Sequence, residues 1–251
     1  MATHGNRGTP EGLELVPDPA RPGGWTLMMA GVPQSYVDVT DPEHLQLAYV
    51  RLIARALRAR HAVPGRILHL GAGGMTVPRL AARWWPGVAQ TVVEISGELI
   101  DVVMERIPPA FPVEIVVGDA RHALETTPDR RYDVIVVDVF HGAAMPAHLG
   151  TVEFSRHLRR VLRPGGLAVM NVTDVPPTAF TRIRVATVAA AFDEVAVFGE
   201  TAVLKGRRAG NLILLAGAVP SLRVSRGERL LREGELVVFS GGARPRTDAE
   251  S

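Results

Sequence analysis

Cysteine is absent from this chain, which excludes a disulfide framework, a thiolate metal site and a cysteine nucleophile. Lysine is nearly absent too. Lys205 is the only one, so arginine carries almost all the positive charge, a pattern we read as coding bias. No apolar run approaches the ~20 residues that span a bilayer. The N-terminal Met1-Ala-Thr-His-Gly-Asn-Arg-Gly8 lacks the apolar core of a secretory signal. The cytoplasm is therefore the expected location, with no membrane partner. A net charge of +2 and scattered arginines, with a small cluster at Arg207-Arg208, leave no nucleic-acid footprint. What is present suits a globular domain able to bury a full core: 251 residues, 47% hydrophobic and 22% charged.

The most telling stretch is Arg66-Ile-Leu-His-Leu-Gly-Ala-Gly-Gly74. A helical pattern follows, and about 20 residues on Thr91-Val-Val-Glu-Ile95 ends in a carboxylate. A strand, glycines, a helix and a spaced acid in that order mark a nucleotide site on a parallel sheet. Gly71 and Gly73 let the backbone turn sharply and approach a ligand closely. Glu94 stands where an acid can accept from both ribose hydroxyls.

Strand and helix patterns alternate from there. The apolar runs predict strands at 66–70, 90–95, 113–117, 133–138 and 167–172, with helices at 76–83, 97–106, 120–126 and 151–162. The strands are continuously apolar, so both faces should be covered. The expected fold is a doubly wound, mostly parallel seven-stranded α/β sheet of Rossmann-like type. Arg163-Pro-Gly-Gly166 predicts a turn. A helix at 178–191 and strands near 194–198 and 211–216 complete the sheet, with an antiparallel edge. Upstream, Leu13–Val16 and Trp25–Ala30 predict a β-hairpin with a long turn, and Pro33–Val39 an extended segment. Asp41-Pro42-Glu43 has the composition of a helix start. The expected organisation is a disordered tail at 1–12, a hairpin segment at 13–40, the nucleotide-binding unit at 41–220 and a partly mobile extension at 221–251.

Four predicted strand ends carry the chemistry of a site: Gly71-Ala-Gly-Gly74, Glu94, Gly118-Asp119-Ala120 and Asp138. Asp119 either accepts from an adenine amino group or caps the helix that starts at Ala120. A dinucleotide site would read Gly-x-Gly-x-x-Gly, whereas position 76 is Thr. No Gly-x-x-x-x-Gly-Lys-Ser/Thr loop is present. S-adenosylmethionine or a close relative fits best. No set of residues matches a metal site, so no metal is expected.

At this point the chain resembles the spermidine synthases, polyamine aminopropyltransferases built on the methyltransferase fold. Met29-Ala-Gly-Val-Pro-Gln34 is similar to the family's segment ending in a nucleoside-binding glutamine. Glu43 to Tyr49 resembles the following helix, whose tyrosine lines the amine channel. Tyr132-Asp-Val-Ile-Val-Val-Asp138 is similar to the strand ending in the catalytic aspartate, and Met145-Pro-Ala-His-Leu149 to the Gly-Pro-Ala-x-x-Leu segment behind it.

The resemblance implies that Gln34, Gly71, Gly73, Glu94, Asp119 and Ala120 bind an adenosyl sulfonium donor, decarboxylated S-adenosylmethionine or S-adenosylmethionine itself. It implies that Asp138 is the base for the attacking amine. The partner would be a small-molecule amine or another small acceptor, and assembly a homodimer or tetramer through the hairpin. Tyr36 and Tyr49 are candidates for the acceptor pocket, although Tyr49 equally fits the core stripe of its helix. His141 is either a general base beside Asp138 or a loop residue facing solvent.

The sequence also departs from the family pattern. Gly74 stands where the family has the aspartate that binds the donor's amino group. His141 replaces the second amine-binding acid, Val50 the glutamine after the helix tyrosine, and Arg51 the next glutamate. A buried dication needs acids at both ends, so the acceptor half reads as remodelled. Two other functions remain in view: a small-molecule methyltransferase, and a non-catalytic nucleoside binder.

Overall fold

The computed structural model describes residues 12–60, 62–139 and 145–250. Its main sheet is built from β4 (Arg66–Leu70), β5 (Ala89–Glu94), β6 (Glu114–Val117), β7 (Tyr132–Val137), β8 (Leu162–Asp174), β9 (Val195–Glu200), β10 (Gly210–Gly217) and β11 (Glu228–Arg232). The strand order is β11-β9-β10-β8-β7-β4-β5-β6. The pairs from β6 to β8 are parallel, whereas β10 pairs antiparallel with both β8 and β9. The doubly wound sheet expected from the apolar runs is present. It has eight strands among the described residues instead of seven, because β11 adds antiparallel to β9.

Three small strands precede it: β1 (Leu13–Pro17), β2 (Gly24–Met29) and β3 (Val32–Asp38). They form an antiparallel meander, so the segment expected only to be extended pairs with the hairpin. Ala30 and Gly31, at the β2–β3 turn, both have positive φ, as tight hairpin turns require. Leu27 and Val37 pack this small sheet on the helix α3 (Gly97–Arg106), with Val92, Leu99, Ile100 and Val103 in the same apolar cluster.

The helices α1 (Ala48–Arg58) and α2 (Thr76–Trp84) cover one face of the main sheet. In α1 the buried Val50, Leu52, Ile53, Ala56 and Leu57 recur at helical spacing, with Arg51 and Arg58 outside. The other face is covered by α4 (Ala120–Thr126), α5 (Val152–Val161), α6 (Ala179–Ala189) and α8 (Glu233–Ser240), and a short α7 (Thr201–Leu204) lies at the edge.

Two local expectations change. The helix expected from Asp41 begins at Ala48. Tertiary contacts capture the preceding residues. Asp41 N–H donates to Asp38, the Arg51 guanidinium donates to the Leu45 and Gln46 carbonyls at 2.7 and 2.6 Å, and Trp84 Nε1 donates to Glu43 at 2.6 Å. The Arg163-Pro-Gly-Gly166 turn is absorbed into β8 as a bulge, since pairing steps from Tyr132↔Leu162 to Val134↔Leu167. The C-terminal segment carries specific contacts. Val152 N–H donates to Arg246, Arg246 N–H donates to Thr187, and Asp248 accepts from Arg121 at 2.7 Å.

Asp38 locks the meander. Its buried carboxylate accepts from Thr40, Asp41 and Arg21, the last at 2.8 Å. Burial opposes ionisation there, yet the hydrogen bonds from Thr40 and Arg21 hold the group down at about 2. A depressed carboxyl stabilises the fold above its unfolded value near 3.8, and the gain disappears as pH falls through the folded value. Asp38→Asn is therefore expected to cost about 2 kcal/mol at neutral pH. The gap from wild type should close between about pH 4 and pH 2, as read by urea unfolding across pH.

Candidate active site

The strand ends converge because β4, β5 and β7 are parallel neighbours and their carboxyl ends open on one side of the sheet. The turn after β4 passes against the end of β7. Asp138 N–H donates to the Leu70 carbonyl at 2.9 Å, and a Cβ on Gly71 would collide with the Asp138 carbonyl. Gly71 has φ +93°, so glycine is required there by conformation and by space. Strand β3 lies over the rest of the loop. Ser35 Oγ accepts from Gly74 N–H at 3.2 Å, and Thr76 Oγ1 donates to the Tyr36 carbonyl at 2.7 Å. A Cβ on Gly73 would sit 3.2 Å from Ser35. The N-terminal meander is thus the outer wall of the glycine loop.

Glu94 ends β5 with both carboxylate oxygens oriented by backbone donors. Ala72 N–H reaches Oε2 at 2.9 Å and Ser96 N–H reaches Oε1 at 3.0 Å. Each oxygen keeps a further lone pair, so a pair of vicinal hydroxyls can be accepted without moving the side chain. The next residue, Ile95, is 67% exposed, a large apolar surface beside a polar clamp.

Asp119 precedes α4 and is engaged on both oxygens. Oδ1 accepts from the N–H groups of Arg121 and His122, and Oδ2 lies 2.8 Å from His148 Nε2. Partial burial works the other way, but the hydrogen bonds from His122 and His148 hold its carboxyl below the usual value. The capping reading of Asp119 is therefore present in the geometry. Ala120 is the buried first residue of α4.

Asp138 leaves β7 on the α1 face. Asn171 Nδ2, from β8, donates to its Oδ1 at 2.8 Å, and the Tyr49 hydroxyl, from α1, also hydrogen-bonds to it. Burial of the carboxyl group pushes it above the usual value, against the pull of those two donors. Burial and the neighbouring Asp138 charge push Tyr49 up as well, so it stays a neutral donor. A carboxylate raised this way is a better proton acceptor than a free one.

Gln34 lies half-buried on β3, beside Ser35 and the glycine loop, and its amide makes no hydrogen bond within the described residues. The Tyr36 hydroxyl donates to Asp18 at 2.9 Å and its ring packs edge-on against His44, so it braces the meander. His141 lies outside the described residues. Trp84 and Trp85 pack edge to face, with Arg58 over Trp84, so they close α1 on α2. Asp174 accepts from Thr181 in the first turn of α6 and is a helix cap. No group of three potential metal ligands occurs among the described residues. No described helix is long and apolar enough to cross a membrane.

Sequence reasoning did not single out Ile95 or Asn211 as parts of this constellation. An apolar residue just beyond the acidic strand end could have marked Ile95. Asn211 depends on which strands are neighbours.

The chain is similar to proteins already known. The methyltransferase domain family matches residues 67–166. A probable spermidine synthase from Corynebacterium glutamicum is 34% identical, with a TM-score of 0.85 over 96% of each chain. A polyamine aminopropyltransferase from Vibrio vulnificus is 31% identical over 54% of this chain and 46% of its own. The spermidine synthase of Thermotoga maritima shares the fold, with a TM-score of 0.60 at 16% identity over 83% of this chain and 70% of its own. The chain spans about half the length of the curated relatives it matches. Near-complete coverage at one-third identity decides the assignment: this chain belongs to the spermidine synthase family, on the methyltransferase fold.

Proposed function

We propose that the protein transfers an aminopropyl-type group from decarboxylated S-adenosylmethionine to a small amine. The observation that carries this reading is the contact between the Gly71 turn and Asp138. It brings a nucleoside-facing loop and an enclosed carboxylate within one substrate's reach. Glu94 accepts from the ribose hydroxyls, Ile95 covers one adenine face, and Gln34 and the edge of Asp119 supply polar contacts to the nucleoside. The free Gln34 amide, the pre-oriented Glu94 oxygens and the exposed Ile95 all suit such a ligand.

On the acceptor side, Asp138 attracts the ammonium and takes one proton from it. The freed nitrogen lone pair attacks the carbon next to the sulfonium. The carbon–sulfur bond breaks, and its electron pair stays on sulfur as neutral methylthioadenosine. No acid is needed for that leaving group, so orientation and deprotonation are the enzyme's two tasks. Methyl transfer from intact S-adenosylmethionine is the second reading. Gly74 favours it, because the loop carries no acid at that position and its N–H is held by Ser35. A loop without that carboxylate does not repel the donor's own carboxylate.

Two variants test the roles. Asp138→Asn is expected to lower turnover about a hundredfold or more, measured as methylthioadenosine released, while methylthioadenosine affinity stays unchanged. Equal turnover in the variant contradicts the base assignment. Glu94→Gln is expected to weaken methylthioadenosine binding roughly tenfold to a hundredfold by calorimetry, the scale of a lost charged hydrogen bond. Unchanged affinity removes Glu94 from the nucleoside site.

A further inference from the structure

One face of the sheet changes character along its length. Val134 and Val136 on β7, Leu167 and Val169 on β8, and Ile213 and Leu215 on β10 form the apolar core under α1 and α2. The next positions on that face, toward the site, are Asp138, Asn171, Thr173 and Asn211. Asn171 is fully buried, with 0% exposure. Its Nδ2 donates to Asp138 Oδ1 at 2.8 Å, which leaves its own carbonyl oxygen in need of a donor. Asn211 Nδ2 supplies one at 2.9 Å and also donates to Thr173 Oγ1 at 2.8 Å. The register explains the reach. Asn211 pairs directly with Thr173 and is the diagonal neighbour of Asn171 across the antiparallel ladder.

The two ends of a primary amide are nearly identical in shape, so only its partners decide which end faces Asp138. An N–H toward the carboxylate favours the ionised, proton-accepting form, whereas a carbonyl favours the protonated form. Water cannot correct a wrong orientation at a fully buried amide.

We propose that Asn211 is a positioning residue for the proton transfer: acting through Asn171, it sets the amide so that an N–H and not a carbonyl faces the carboxylate of Asp138. This rests on reading Asp138 as the base. Among the described residues, Tyr49 from α1 and Asn171 from β8 act directly on Asp138. His69, two residues before Gly71 and paired with Val136, is kept neutral by burial, its pKa lowered to about 4.

The test is a pH titration of the Asp138 carboxyl by carbon NMR, assigned by its loss in Asp138→Asn and compared across Asn211→Leu, Asn211→Ser and Asn171→Leu. Asn211→Leu should raise the Asp138 midpoint by roughly one pH unit without touching Asp138, and Asn171→Leu should raise it at least as far. Asn211→Ser keeps a donor and should stay nearer wild type. In turnover, Asn211→Leu should move the acid limb of the pH profile upward and lower kcat. The KM for the amine and the affinity for methylthioadenosine should stay in place. An unmoved midpoint in Asn211→Leu, with only a lower melting temperature, overturns the proposal and leaves Asn211 a structural residue. The titration needs no turnover. A shifted midpoint in a protein that transfers nothing to any amine supports the positioning role and defeats the transfer reading instead.

Discussion

Much of the site depends on how closely the turn after β4 passes the end of β7. The Leu70 carbonyl accepts from Asp138 N–H, and Gly71 runs against the Asp138 carbonyl at a positive φ. Any side chain at Gly71 would push these two strand ends apart. Because they stay together, the glycine loop and the Asp138 carboxylate share one backbone contact. The meander then closes the loop from outside, with Ser35 and Val37 packed on Gly73 and Gly74. The N-terminal sheet is therefore a wall of the site, and Asp38 and Asp18 hold it through Arg21, Thr40 and Tyr36.

The two halves of the site are built differently. The nucleoside half relies on backbone donors that pre-orient acids, as at Glu94, and on helix starts, as at Asp119. The acceptor half relies on side chains from three elements, Tyr49, Asp138 and Asn171, with one ionisable carboxyl enclosed among neutral donors. That half suits one ammonium group whose proton is to be removed. The glutamine and glutamate of the family pattern are replaced here by Val50 and Arg51, and the Arg51 guanidinium is engaged by the Leu45 and Gln46 carbonyls.

Much of this was legible in the sequence, for identifiable reasons. The central strands are continuous apolar runs such as Ile67–Leu70 and Val134–Val137, whose length and flanking glycines leave little choice of element. Glu94 and Asp138 end such runs, so their place at the strand ends followed. The misses depend on information that local pattern does not hold. The Asp41-Pro42-Glu43 start was overridden by Arg51 and Trp84 from outside the segment. Strand β11 mixes Leu230 and Leu231 with Glu228, Arg229 and Arg232, so its period was weak. Asn171 and Asn211 are 40 residues apart and meet only through the β8–β10 register.

The central claim is that the nucleoside half recognises an adenosyl sulfonium whose aminopropyl arm is passed on beside Asp138. The most direct measurement is a thermal-shift titration with S-adenosylmethionine, its decarboxylated form and methylthioadenosine, each with and without putrescine. A ligand that binds only the folded state raises the melting temperature by mass action. The account predicts that the decarboxylated donor stabilises more than S-adenosylmethionine, and that an amine adds to its effect. Stabilisation by S-adenosylmethionine alone, with no response to the decarboxylated donor or to any amine, would contradict it.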